Sequence, residues 1–161
     1  STLGEGVIYE AFNMAALWSA PLLIVVENNH IAQTTPTQYV LAGDMRMRFQ
    51  AFGIPALELD TSDVMEIASQ AFHLMQEVHE ELSPRALILN TQRFGPHSKG
   101  DDTRPEEEVA LMKEQRDPIA IMEKRLDANA VKAIRAEVEA QVKEAFEQAL
   151  SDPPASMEAG S

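Results

Sequence analysis

The chain of 161 residues contains no cysteine. That absence excludes a disulfide framework, a thiolate metal site and a cysteine nucleophile, so any chemistry falls to oxygen and imidazole groups. Basic residues are scarce: 13 Lys and Arg stand against 26 Asp and Glu, for a net charge of −13. Such a chain has little attraction for phosphate backbones or anionic membranes, and neither nucleic acid nor a membrane is an expected partner. Long apolar runs are missing as well. The longest, Pro21 to Val26, falls far short of the roughly 18 residues that suggest a bilayer span. No basic and apolar leader precedes it, which makes the cytoplasm, or the mitochondrial matrix in a eukaryote, the expected location. The sequence opens at Ser1 without Met and enters a helical pattern within a few residues, as expected of a fragment. No internal repeat or low-complexity tract breaks it.

What is present is ordinary globular composition, 45% hydrophobic and 24% charged, at about the length of one domain. From Glu5 to Ser19 the residues Ile8, Ala11, Phe12, Ala15, Ala16 and Leu17 recur at helical spacing. Pro21 stops that helix, and Leu22 to Val26 is an apolar run without alternation, as in a strand buried on both faces of a parallel sheet. A polar loop from Glu27 to Tyr39, a short helix over 42–52 and a second, less buried strand over Ile54–Asp60 follow. The next helix starts with a capping-box variant, Asp63 and Glu66, and carries Val64, Ile67, Ala68, Ala71, Met75, Val78 and Leu82 on one face. A third strand lies within Arg85–Asn90, then a loop over Thr91–Pro105 and helices over 105–115, Pro118–Leu126 and 128–150. Alternation of strands and helices predicts an α/β fold, mostly parallel, with flanking helices and a C-terminal helical extension. In such sheets ligands bind beyond the carboxyl ends of the strands, so the loops after the first and third strands should lie side by side.

Those loops carry the candidate chemistry. Asn28 and Asn29 directly follow the first strand, where amide and backbone oxygens suit a hard cation such as Mg²⁺, though Asn pairs are also good turn formers. Gly4-Glu5-Gly6 before a helix fits an anion site or a plain helix start. His97 lies in a loop of Gly, Pro, Ser and Asp and is either a proton-handling group or a solvated residue. His30 competes with it, while His73 and His79 fall on a helix. Glu106 to Glu108 match the dipole of a helix first turn.

Two stretches, LGEGVIYEAFNMAALW from Leu3 to Trp18 and PLLIVVENN from Pro21 to Asn29, resemble the second half of the thiamine diphosphate signature, GDG through NN, of 2-oxo acid dehydrogenase E1 α subunits. TTPT at 34–37, AFGIP at 51–55, RFGPHSKGDD at 93–102 (similar to R-x-x-x-H-S-x-x-D) and RDPI at 116–119 continue the likeness in order over about residues 1–150. The resemblance implies part of a thiamine diphosphate-binding fold, with residues 1–115 the C-terminal portion of the cofactor-binding α/β domain, 116–150 C-terminal helices and 151–161 a frayed tail. It further implies that Asn29 ligates Mg²⁺ through its side chain and Ile31 through its backbone carbonyl. Ser1 and Thr2 would contact the diphosphate through backbone groups, His97 would be the catalytic loop histidine near the cofactor, and Ser98 the position phosphorylated in some members. The GD opening the signature would precede Ser1. Implied partners are an E1 β subunit, in a heterotetramer or as a fused β portion, an E2 lipoyl acyltransferase and a 2-oxo acid substrate. Glu27 is closer to the pyruvate and acetoin types than to the branched-chain type. Alternatives are a non-catalytic interaction module of similar ancestry and a flavodoxin-like binding domain.

Overall fold

A computed structural model describes residues 2–154, which divide between two compact units, residues 1–121 and 122–161. In the first unit a single turn of 3₁₀ helix, Thr2–Gly4, leads into α1 (Gly6–Leu17), followed by β1 (Leu23–Asn28) and a small hairpin of β2 (Ile31–Ala32) and β3 (Thr35–Pro36). Then come α2 (Met45–Gln50), β4 (Ala56–Leu59), α3 (Val64–Glu81), β5 (Arg85–Asn90) and α4 (Glu106–Arg116); α5 (Pro118–Glu123) reaches the second unit, which holds α6 (Ala128–Ser151). The fold is α/β, with a parallel sheet in the order β1-β5-β4.

The expected burial of the first strand is corrected here. The strand enclosed on both faces is β5, with Ala86, Leu87 and Ile88 at 0–1% exposure, whereas β1 is half-buried and Val25 is 50% exposed. Position in the sheet decides this: β5 has a partner on each side, and among the described residues β1 and β4 have one each. β4, expected to be less buried than β1, is also half-buried.

Strand alternation sends Ala86 and Ile88 to one face, where they meet Phe12 of α1, Phe49 of α2, Ile54 and Leu3. Leu87 and Leu89 go to the other, against Leu74, Ile67 and Ala71 of α3. The helix α3 therefore turns residues 67, 71, 74 and 78 inward, while Val64, Ala68, Met75 and Leu82, expected on that face, are exposed. Its cap also differs in detail. Asp63 accepts from the Met65 amide at 3.0 Å, and the Asp63 amide itself goes to Thr61 Oγ1 at 3.1 Å, in place of the reciprocal bond from Glu66 that a capping box makes.

At the start of β5 Arg85 is buried, and its charge is met by Glu77 at 2.9 Å, by Glu81 and by Ser83 Oγ at 2.7 Å. A buried cation without such partners would carry a large desolvation cost. Asp44 caps α2 through the Met47 amide at 2.8 Å, and Gly53, at φ 72°, makes the left-handed bend between α2 and β4.

In the second unit Asp127 caps α6 through the amides of Asn129 and Ala130. The helix carries Val131, Ile134, Val138 and Val142 at helical spacing, with Ile134, Val138 and Val142 exposed. Residues 155–161, most of the predicted tail, lie outside the described residues. Among the described residues no helix is long and apolar enough to cross a membrane.

Candidate functional site

Parallel pairing of β1 with β5 puts Asn28 opposite Asn90, the last residue of each strand. The loops that leave these ends are therefore neighbours. Asn28 Nδ2 donates to Asn90 Oδ1 at 2.8 Å, the Thr91 amide donates to the Asn28 carbonyl at 2.9 Å, and Arg93 donates to the Gln33 carbonyl at 2.8 Å. This is the juxtaposition the strand order requires.

After β1 the chain bends sharply. His30 has φ 62° and Gln33 φ 56°, left-handed values that a non-glycine residue adopts only when its surroundings hold it there. At His30 the hold comes from the two asparagines: Asn28 Oδ1 accepts the His30 amide at 3.2 Å and Asn29 Oδ1 accepts the Ile31 amide at 3.1 Å. Asn29 and Ile31 thus face one another across a turn. Both line a cleft of about 490 Å³ with Thr2, Leu3, Phe12, Glu27 and Asn28, and both also line an adjoining pocket of about 360 Å³ with Arg93, Asp101, Asp102 and Arg104. Ser1 lies outside the described residues.

His97 is not brought into either lining. Its side chain is 47% exposed, with Nδ1 2.9 Å from Ser98 Oγ and 3.6 Å from Asp101 Oδ2. Asp101 Oδ2 also accepts the Ser98 amide at 2.9 Å, which fixes the turn carrying both residues.

The groups that hold this loop were not singled out by spacing alone. Arg104 makes a two-pronged contact with Asp102, at 2.9 and 2.7 Å, and donates to the carbonyls of Arg93 at 2.8 Å and Gly95 at 3.3 Å. The hydrogen bond from Arg104 is the main reason the Asp102 carboxyl is held down at about 2, against an ordinary 3.8. A carboxyl shifted downward by folding helps order its surroundings above its free value and loses that effect as pH falls towards the folded value. The loop 93–104 is therefore expected to stay ordered above about pH 4 and to loosen between about pH 4 and 2, a step absent from Asp102→Asn. Amide exchange at Ser98 and Arg104 across that range is the measurement; a wild-type profile identical to that of Asp102→Asn would remove the pair from this role.

The dehydrogenase E1 component family model matches residues 2–158. The chain belongs to this family. It is 38% identical over 158 residues, 92% of the chain and 44% of the relative, to the pyruvate dehydrogenase E1 component subunit alpha of Zymomonas mobilis. Against the protein of the same name from Rickettsia felis the identity is 35% over 153 residues, 92% of the chain and 47% of the relative. Against the testis-specific, mitochondrial form of that subunit from Homo sapiens it is 31% over 163 residues, 96% and 42%. The chain spans less than half the length of these relatives. Membership in the E1 family replaces the flavodoxin-like alternative.

Proposed function

We propose that this E1 segment is the C-terminal portion of an α subunit that acts in thiamine diphosphate-dependent oxidative decarboxylation of a 2-oxo acid, pyruvate foremost, with acyl transfer to lipoamide of an E2 lipoyl acyltransferase. The observation that carries the reading is the meeting of the Asn28–Ile31 turn and the 91–105 loop beyond the carboxyl ends of β1 and β5. The names of the relatives supply the substrate. The proposed domain division is residues 1–115 for the cofactor-binding portion and 116–150 for the C-terminal helices. The proposed setting is the cytoplasm, or the mitochondrial matrix in a eukaryote, with an E1 β subunit or fused β portion completing the site.

The donor set fits Mg²⁺. Asn29 Oδ1 and the Ile31 carbonyl are hard oxygens on one turn, and an amide oxygen already accepting one hydrogen bond keeps a second lone pair for a cation. Because residue 31 acts through its backbone, an isoleucine serves there. Thr2 lines the same cleft and, with Ser1, would meet the diphosphate through backbone groups. When bound, thiamine diphosphate supplies a carbon nucleophile for the 2-oxo carbon and an electron sink for loss of CO₂.

The part assigned to His97 is to hold or move a proton at its imidazole, steered by Asp101. In the full-length α subunit with its β partner, His97→Ala is expected to lower turnover by about 10²-fold or more without unfolding, since an exposed loop residue contributes little packing. Decarboxylation and lipoyl acylation are assayed separately. Rates within about twofold of wild type, about 0.4 kcal/mol at the barrier, would make His97 a solvated residue. No turnover in wild type would favour the non-catalytic module.

A further inference from the structure

Arg116, the first residue of the RDPI stretch, ends α4 far along the chain from the asparagine turn, yet it is bonded to the strand end beside that turn. Its guanidinium joins the end of β5 to the connection between β4 and α3: Nη2 donates to the Asn90 carbonyl at 2.9 Å and lies 2.7 Å from Asp60 Oδ1, and Nε donates to Ser62 Oγ at 3.1 Å. From Asn90 the connection continues. The Asn90 side chain gives Nδ2 to Glu58 at 2.9 Å and takes Asn28 Nδ2 at 2.8 Å, and Asn28 Oδ1 takes the amide of His30, the residue in the left-handed bend. Each link is directional, and together they tie α4, the ends of β4 and β5, and the first residue of the turn into one frame.

We propose that Arg116 is a positioning residue for the Asn28–Ile31 turn, acting through Asn90 and Asn28 to keep Asn29 Oδ1 and the Ile31 carbonyl preorganised for Mg²⁺ and a diphosphate; the metal part rests on the function proposed above. Arg116 lies outside the linings of both pockets. Its ion pair is a weak reason for its presence, because Asp60 is 67% exposed and such pairs are largely offset by solvent. The planar guanidinium is the reason: it reaches a carbonyl, a carboxylate and a hydroxyl at once, which the single ammonium of lysine does not reproduce.

The test uses the full-length α subunit in two states. Without cofactor, Arg116→Lys and Arg116→Gln are expected to speed amide exchange at His30 and Ile31 by about tenfold, the effect of disturbing groups behind a ligand, while the Val78 amide in α3 is unchanged. With Mg²⁺ and thiamine diphosphate, assembled with the β partner, half-saturating Mg²⁺ should rise about tenfold while kcat at saturation stays within about twofold. A double variant with Asn28→Ala should lose no more affinity than the worse single variant, because both act on one path. Asp60→Asn, which keeps the bond to Asn90, should leave exchange at the turn as in wild type.

Unchanged exchange at His30 and Ile31 in both Arg116 variants overturns the proposal, as do additive affinity losses in the double variant. Uniformly faster exchange, Val78 included, would mean a general loss of stability and also overturns it. A wild-type protein with no affinity for Mg²⁺ and thiamine diphosphate defeats the functional reading instead, and the exchange measurement still decides whether Arg116 positions the turn.

Discussion

Asn29→Ala in the full-length protein is expected to weaken binding of Mg²⁺ and thiamine diphosphate by about tenfold to a hundredfold, the range for losing one hydrogen-bonding or ligating group to a charge, about 1.5–3 kcal/mol. Two losses combine. The cation is deprived of one hard oxygen, and the Ile31 amide loses the acceptor it now meets at 3.1 Å, so the carbonyl of the same residue is held less firmly. Asn28→Ala removes no proposed ligand and should cost less, acting through the bend at His30. Asn29→Asp retains an oxygen and adds a negative charge, and should recover much of the metal affinity. Calorimetric titration with Mg²⁺ present measures all three, and equal affinity for wild type and Asn29→Ala would remove Asn29 from the site.

Phe49→Ala is expected to lower stability by about 3–5 kcal/mol, the cost of a large cavity in a packed core and a large part of the roughly 5–15 kcal/mol that holds a domain together. Phe49 is fully buried, and its ring centroid is 4.6 Å from that of Phe12, which lines the cleft beside Thr2 and Asn29. The cavity would open behind the cleft wall. Phe12 then has room to shift, so cofactor affinity should fall together with stability even though Phe49 touches no ligand. Urea unfolding gives the stability change, and a loss below about 1 kcal/mol would mean that the surrounding side chains collapse into the space.

The three strands of the parallel sheet are legible in their apolar residues, and the helices in their periodicity. Which strand would be central was not legible. Leu22 to Val26 and Ala86 to Leu89 are both apolar, and only pairing between segments far apart in sequence places β5 between β1 and β4. The rotation of α3 was half legible for a related reason: Val64, Ala68, Met75 and Leu82 extend the apolar stripe, and what the sheet offers decides that residues 67, 71, 74 and 78 are the ones covered. Within the stretch expected to be a polar loop, the hairpin of Ile31–Ala32 with Thr35–Pro36 is too short to leave a pattern.

At the site, Asn29 was visible because a polar pair directly after an apolar strand is a place where ligands bind in α/β sheets. Asn90 sits in the same position on β5 and carries no signal in sequence, since a single asparagine ending a strand acquires meaning only from Asn28 2.8 Å away. Arg104 and Asp102 were hidden by proximity: two residues apart in a polar loop they read as solvated charges, yet they secure the carbonyls of Arg93 and Gly95.

The most direct test of the proposed site is a crystal structure of the full-length α subunit with its β partner, grown with thiamine diphosphate and with Mn²⁺ in place of Mg²⁺, and read from the anomalous signal of the metal. One strong peak is expected in the cleft, directly coordinated by Asn29 Oδ1 and the Ile31 carbonyl oxygen, with the diphosphate beside Thr2. A metal and diphosphate bound elsewhere in the protein, with Asn29 and Ile31 making no contact to either, would contradict it.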